Sequence, residues 1–182
     1  MRVMKAGLLV LGLVSATAQA ANEEFFLKIP GINGESQTQG YPGWIQIDSF
    51  TESFVNSTAT RGGTGAGGGR ERTSCQDLHL SKILDKTSAE LAMAVATGHT
   101  YSPVLLAAVR ISGDRPVEFL RFTLTNVIIS SVAFAGDTGT SARIETLVLR
   151  PTRVEVQYTP QNADGSVGTT ITATVDCAST FL

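Results

Sequence analysis

The stretch TSCQDLHLSKILDKTSAELAMAVATG (residues 73–98) contains the clearest helix in a chain that otherwise reads as strands. Its first half alternates, so that Leu78 and Leu80 point to one face of a strand and polar residues to the other. Its second half begins with the Thr87–Glu90 spacing, which is typical of a capping box. The apolar helix positions end at Gly98, a residue that often terminates helices. A short, alanine-rich helix is marginal alone, so we expect it to pack on an apolar sheet or barrel face.

Outside this stretch, alternating apolar and polar residues predict about eight further short strands, separated by turn residues. Asp164-Gly165 indicates a hairpin before the last of them. The faces opposite the apolar ones are rich in Thr and Gln, which fits either solvent exposure or a water-filled lumen. The pattern predicts a mainly β fold, either a sandwich or a barrel. The predicted strands are residues 24–30, 44–50, 104–111, 117–125, 127–134, 145–150, 152–158 and 167–177.

Residues 1–20 have the pattern of a cleavable signal peptide. Two basic residues precede a short apolar run over residues 6–14, and an A-x-A site ends at Ala20. We expect cleavage between Ala20 and Ala21, which leaves residues 21–182 as one domain. The alternative is an N-terminal anchor, but the run is shorter than the roughly 20 residues that a membrane span needs.

The charge pattern of the chain gives no indication of nucleic-acid binding. Without Arg2 and Lys5, the 14 basic residues become 12 against 16 acidic ones, a net charge of −4. The sequence has no block of basic residues that would neutralise phosphates. After cleavage no long apolar segment remains, so we expect no membrane span.

The two cysteines of the chain, Cys75 and Cys177, both lie in the exported part. In an oxidising compartment they are expected to form a disulfide. Closing a loop of about 100 residues would add up to about 4.7 kcal/mol in the chain-entropy model. Two free thiols are the alternative.

A glycine-rich segment, residues 56–72, has no large apolar residue and is interpreted as an exposed loop. Loops of this length in compact domains are usually functional or disordered. Within it, residues 63–68 formally match G-x-G-x-x-G. That fingerprint requires a strand before it and a helix after it, which the sequence does not provide. We therefore predict no cofactor here.

The sequence offers no set of residues that could act together in catalysis. Cys75 and His79 would lie about 13 Å apart along one strand, at roughly 3.3 Å per residue, which is too far for a direct pair. His99 follows the helix, and neither histidine has a metal-like spacing with another ligand. We predict no catalytic and no metal-binding residues, and we expect that the protein is not an enzyme.

Four segments of the sequence resemble one protein family, and the resemblance covers roughly residues 24–176. Its most specific motifs are the Q-D-L strand that leads into the D-K-x-S helix and the Y-T-P-Q-x-x-D-G hairpin. The chain resembles the haemolysin-coregulated protein (Hcp) family, the tube-forming proteins of type VI secretion systems. The segments are FLKIPGINGES (26–36), SCQDLHLSKILDKTSAELAMAVATG (74–98), FTLTNVIISSV (122–132) and VEVQYTPQNADGS (154–166).

The resemblance implies a compact two-sheet β-barrel with one short α-helix, whose protomers form hexameric rings that stack into tubes. It implies a non-enzymatic conduit and carrier, with itself and effector or cargo proteins as partners. A hairpin-like extension that makes subunit and ring contacts would correspond to residues 54–72. The candidate assembly residues of this loop are Arg61, Gly63, Gly65, Gly68, Arg70 and Arg72.

Two features depart from the family pattern, because the tube proteins carry no cleaved leader and assemble in the cytoplasm. The signal peptide and the cysteine pair instead predict an exported member, periplasmic or extracellular, that forms rings, tubes or filaments. The alternative is a monomeric secreted β-barrel that holds a ligand or effector with the Gly-rich loop and an exposed Trp44.

Overall fold

The computed structural model describes residues 22–56, 73–112, 115–136, 138, 143–162 and 165–177. The predicted signal peptide lies outside these residues, as does nearly all of the glycine-rich loop. Strands dominate the described residues, and one helix interrupts them. The elements are β1 (Asn22–Lys28), β2 (Ile45–Ile47), β3 (Ser49–Thr51), β4 (Phe54–Asn56), β5 (Thr73–Cys75), β6 (Leu78–Ile83), α1 (Ser88–Thr97), β7 (Thr100–Tyr101), β8 (Val104–Ser112), β9 (Arg115–Thr125), β10 (Val127–Ala135), β11 (Ile144–Arg150), β12 (Arg153–Tyr158) and β13 (Ile171–Asp176).

The strands form two antiparallel sheets and a small ribbon. The larger sheet has six strands in the order β13-β12-β9-β8-β1-β2, and the smaller has five in the order β3-β6-β11-β10-β7. The ribbon pairs β4 with β5 and belongs to neither sheet. The predicted mainly β fold of two sheets with one short helix is therefore confirmed.

The expectation of a closed barrel is wrong for the described part of the chain. No ladder of hydrogen bonds there joins an edge of one sheet to an edge of the other. The chain does cross between the sheets at Asp48, where the Asp48 amide donates to the Ser81 carbonyl at 2.8 Å. The single predicted strand over residues 44–50 is therefore two short strands, β2 and β3, in different sheets. A strand corner of this kind closes one side of a sandwich and leaves the other sides open.

The core lies between the two sheets and follows the alternation of the sequence. In β6, Leu78 and Leu80 are buried while His79 between them is exposed, as predicted. In β9, Phe122 and Leu124 are buried on the same face. The fully buried core side chains include Leu27, Ile29, Ile45, Leu78, Leu91, Leu106, Leu124, Ile129, Leu147 and Leu149.

Helix α1 packs beside β10 and buries Leu91 and Ala94 in this core. Gly98 ends it in the left-handed conformation, with φ of 61°, and its amide bonds back to the helix carbonyls. The predicted capping box is wrong, since Thr87 makes no side-chain capping bond. Its hydroxyl donates to the Asp85 carboxylate instead, which also accepts the Thr87 amide at 2.8 Å.

A second, smaller core covers the outer face of the six-stranded sheet. Phe26 of β1 stacks on Tyr41, with ring centroids 4.7 Å apart and planes 8° apart. Trp44 meets the edge of Tyr41 at 5.1 Å and is partly buried, so the prediction of an exposed Trp44 is wrong. Gly34 is required here because a Cβ atom at this position would overlap the backbone carbonyl of Trp44.

Candidate assembly surfaces

Among the described residues, no group of three or more His, Cys, Asp and Glu side chains could hold a metal ion. His79 is exposed on β6, and His99 lies with its ring 4.6 Å from Tyr101. In the same part of the chain no helix is long and apolar enough to cross a membrane. The features that distinguish the surface are instead the edge strand β13, the base of the β4–β5 ribbon (here called the ribbon root) and a covalent link between them.

Strand β13 ends the six-stranded sheet and leaves apolar side chains uncovered. It pairs with β12, with Val175 opposite Val154 and Ile171 opposite Tyr158. Residues directly opposite each other share a face of the sheet, so all four belong to the face that carries the core. Val154 is fully buried, whereas Tyr158 is 43% exposed and Ile171 is 65% exposed.

The core face of the larger sheet thus extends beyond the smaller sheet that covers it. We call this exposed region, Tyr158 and Ile171 with the outer edge of β13, the β13 overhang. Within the described residues no strand pairs with that outer edge. An unpaired edge beside exposed apolar side chains is a surface on which another chain can dock.

The ribbon β4–β5 leads into the predicted assembly loop. Its three residue pairs run from Phe54 opposite Cys75 to Asn56 opposite Thr73, and Phe54 is 39% exposed. A hairpin-like base therefore stands where the family resemblance places the extension. The predicted contact residues lie in the segment outside the described residues, so their role stays a prediction: Arg61, Gly63, Gly65, Gly68, Arg70 and Arg72.

The two cysteines are joined in the structure. A disulfide links Cys75, at the end of β5, to Cys177, just after β13, with Cα atoms 5.0 Å apart and 102 residues apart in sequence. Both side chains pack against the main core. The bond ties the ribbon root to the edge strand, and so connects the two surfaces described above.

At the ribbon root, Glu52 lies between β3 and β4 with its carboxylate buried. Neither oxygen has a hydrogen-bond partner among the described residues. Burial, and secondarily the nearby charge of Asp77, raises the pKa of Glu52 from 4.5 to about 7. Asp77 itself accepts two bonds from Arg150, at 2.9 and 2.8 Å. Glu52 is therefore a carboxyl whose charge changes near neutral pH.

A buried charge network that the sequence reading missed holds the start of the helix. Lys82 and Glu145 are both fully buried, with Nζ 2.8 Å from Oε2, and Lys82 also lies 3.0 Å from Asp85. The Ser88 hydroxyl donates to the same Glu145 oxygen at 2.6 Å. Asp85 and Ser88 are the outer letters of the D-K-x-S motif, so the motif encodes an interior network. The β6 alternation could have revealed it, because Lys82 follows Leu80 on the buried face.

A polar cluster joins the residues 30–44 segment to β9 on the outer face of the larger sheet. The Tyr41 hydroxyl donates to Glu118 at 2.7 Å, and Arg121 donates to both oxygens of the same carboxylate at 2.7 Å. Burial and the bond to Glu118 raise the pKa of Tyr41, while the bond to Glu118 raises the pKa of Arg121. The cluster holds the smaller core in place.

Comparison with known proteins identifies the fold and its relatives. The sequence model of the family described as "Type VI secretion system effector, Hcp" matches residues 26–158, well over half of the chain. The chain belongs to the Hcp family. The matched segment contains Cys75 and the D-K-x-S motif, and it ends before β13 and Cys177.

Individual Hcp proteins resemble the chain in sequence and in structure. Protein hcp1 of Pseudomonas aeruginosa is 34% identical over 143 residues, which cover 79% of this chain and 87% of that protein. The crystal structure of Hcp1 from Salmonella typhimurium gives a TM-score of 0.70 at 28% identity, covering 87% of this chain and 96% of that one. A structure described as a type six secretion system protein gives 0.76 at 25% identity, covering 85% and 96%.

Proposed function

We propose that this Hcp-family chain is a non-enzymatic structural protein that assembles with copies of itself into rings, tubes or filaments. We propose further that a cleavable signal peptide exports it, so that assembly takes place in the periplasm or outside the cell. The hexameric ring implied by the family resemblance is the expected unit. Effector or cargo proteins are the expected additional partners.

The observation that carries this proposal is the β13 overhang. A ring of identical subunits needs a patch that contacts a different patch on the next copy, with a rotation that closes. An unpaired strand edge supplies directional hydrogen bonds, and Tyr158 and Ile171 supply apolar area that water now covers. The hairpin base at β4–β5 stands where a second contact, between rings, is expected.

The test is the assembly state of the purified full chain, by electron microscopy and sedimentation velocity over a range of concentrations. I171D places a charge on the overhang and is expected to reduce assembly strongly. T172D is the matched control, since Thr172 is the exposed neighbour on the opposite face of β13. Particles that remain monomeric at high concentration would exclude the proposal, and equal assembly of both variants would exclude the overhang as the contact.

Export is tested separately by mass spectrometry of the protein outside the cytoplasm. The mature chain is expected to begin at Ala21. An intact N-terminus, with Met1 present, would contradict cleavage after Ala20.

A monomeric secreted binding module is the alternative function. The feature in its favour is a groove of about 490 Å³ between α1 and the turn after β1, whose lining includes Ile32, Met93 and Tyr101. Met93 is 63% exposed there. Recovery of one stoichiometric partner with a chain that does not self-associate would support this function, whereas rings without a partner would exclude it.

A further inference from the structure

We infer that the Cys75–Cys177 disulfide is a redox-controlled latch that joins the β4–β5 ribbon to the edge strand β13 and thereby controls self-assembly. The inference rests on the proposed function and names its regulation. It follows from where the two joined elements lie: in the described part of the chain the ribbon pairs with neither sheet, β13 is the edge strand of the larger sheet, and both belong to the candidate assembly surfaces.

In the described part of the chain, the ribbon is joined to neither sheet by strand pairing. It consists of three residue pairs and lies outside both sheets. One further backbone bond, from the Gln76 amide to the Ser53 carbonyl at 2.9 Å, continues the pairing by a residue. A two-stranded ribbon of this size is not stable by itself in water. Its position therefore depends on what it is joined to, and the disulfide is at its root.

Strand β13 is an edge strand that is largely exposed. It pairs with β12 on one side, and five of its six residues are exposed, with Val175 partly buried. The Cys177 amide donates to the Thr152 carbonyl at 3.0 Å. The Arg153–Asp176 ion pair is 56% and 71% exposed, so it contributes little. The strand thus buries little apolar surface, and besides its six-residue ladder to β12 the disulfide gives it a covalent link to β5.

Cys75 and Cys177 are only partly buried, so the disulfide lies near the surface rather than deep in the core. Opening requires a dithiol reductant, whose thiolate attacks one sulfur to give a mixed disulfide. The second thiol of the reductant then displaces that cysteine. Two electrons and two protons reach the protein as two thiols, and the reductant leaves as its own disulfide. Closing is the reverse exchange with a disulfide oxidant.

The latch acts by preorganisation. With the bond closed, the ribbon root and the β13 edge are fixed relative to each other before a second copy arrives. With the bond open, both elements must be ordered during association, at a cost in conformational entropy. Thiols are kept reduced in the cytosol and are oxidised in exported proteins. The latch therefore restricts assembly to an oxidising compartment.

The experiment compares the oxidised full chain with the same chain after dithiothreitol treatment, by backbone hydrogen exchange and by sedimentation velocity. Since these are the two cysteines of the chain, the reductant acts on one bond. On reduction, exchange in β5 and β13 is expected to accelerate by about tenfold or more while β8 is unchanged. The concentration needed for assembly is expected to rise by about tenfold.

The control is the C75A/C177A variant, which is expected to behave like the reduced chain and to ignore dithiothreitol. Unchanged exchange in β5 and β13 on reduction would overturn the latch, and so would loss of protection in β8, which would report global rather than local opening. Equal assembly of oxidised and reduced chains would overturn the regulation alone. No assembly in either state would overturn the proposed function as well.

Discussion

Replacing Lys82 with methionine removes the ammonium group that neutralises Glu145 inside the protein. Methionine keeps most of the side-chain length, so the main change is the loss of the charge rather than the loss of packing. Glu145 is fully buried, and its Oε1 atom already lacks a hydrogen-bond partner among the described residues. The variant therefore leaves a carboxylate with one hydroxyl, that of Ser88, as its described side-chain partner.

The expected cost of K82M is about 3–5 kcal/mol of unfolding free energy, because removing one partner of a buried ion pair leaves the other charge uncompensated. The matched control is R153M. The Arg153–Asp176 pair has a shorter N–O distance, 2.6 Å against 2.8 Å, but its side chains are 56% and 71% exposed. The control is therefore expected to cost about 1 kcal/mol or less. Burial, rather than distance, decides the difference.

The assay is urea unfolding, followed by circular dichroism and by the fluorescence of Trp44. With a slope of about 2 kcal/mol per molar urea, K82M is expected to lower the midpoint by about 2 M. The double variant K82M/E145M removes both charges and is expected to recover much of the loss. A K82M cost close to that of R153M would refute the reasoning. A double variant as unstable as K82M would show that lost packing, not the uncompensated charge, is the cause.

Two further predictions concern other sites. For Glu52, the folded-state pKa of about 7 lies above the ordinary 4.5, so the folded state binds the proton more tightly and stability falls as pH rises from about 4.5 to 7. In urea unfolding, E52Q is therefore expected to have a higher midpoint than the parent at pH 8 and to lose that advantage near pH 5. A difference in midpoint that does not depend on pH would contradict this. G34A is expected to cost about 1–3 kcal/mol through overpacking against Trp44. G136A has open space around the added Cβ and should leave the melting temperature nearly unchanged, so equal effects of the two would argue against the clash.

Periodicity predicted most of the fold, because alternation and capping residues act locally. It located the longer strands and the extent of the helix, although the capping box expected at Thr87 is absent, and it missed the short strands β4 and β7. Gly98 has the left-handed conformation that glycine favours. It could not assign strands to sheets. Residues 44–50 alternate without interruption, and the change of sheet at Asp48 depends on a backbone bond to Ser81, which is distant in sequence.

The candidate assembly surfaces were harder to predict from the sequence, because they also depend on contacts between residues that are distant in sequence. The cysteine pair was predicted from the count and the compartment. The exposure of Ile171 was not predicted. An apolar residue on an alternating strand has the pattern of a core residue, and the sequence does not show that the smaller sheet fails to cover this position. Asp85 took the place of the expected Thr87–Glu90 cap because its carboxylate bonds both to the Thr87 amide and to Lys82.

The buried network also determines what can be concluded when another chain carries the D-K-x-S motif. Asp85 and Ser88 bond to Lys82 and Glu145, which come from two neighbouring strands. Exchanging one of the four alone is therefore expected to cost stability, because it leaves a buried partner uncompensated. A chain of this fold that carries all four residues is therefore expected to share this part of the interior, whatever surface it presents to its neighbours. Family resemblance at the motif and self-assembly are therefore separate properties, and under the proposed function a change at β13 is expected to reduce assembly while the motif and its network remain intact.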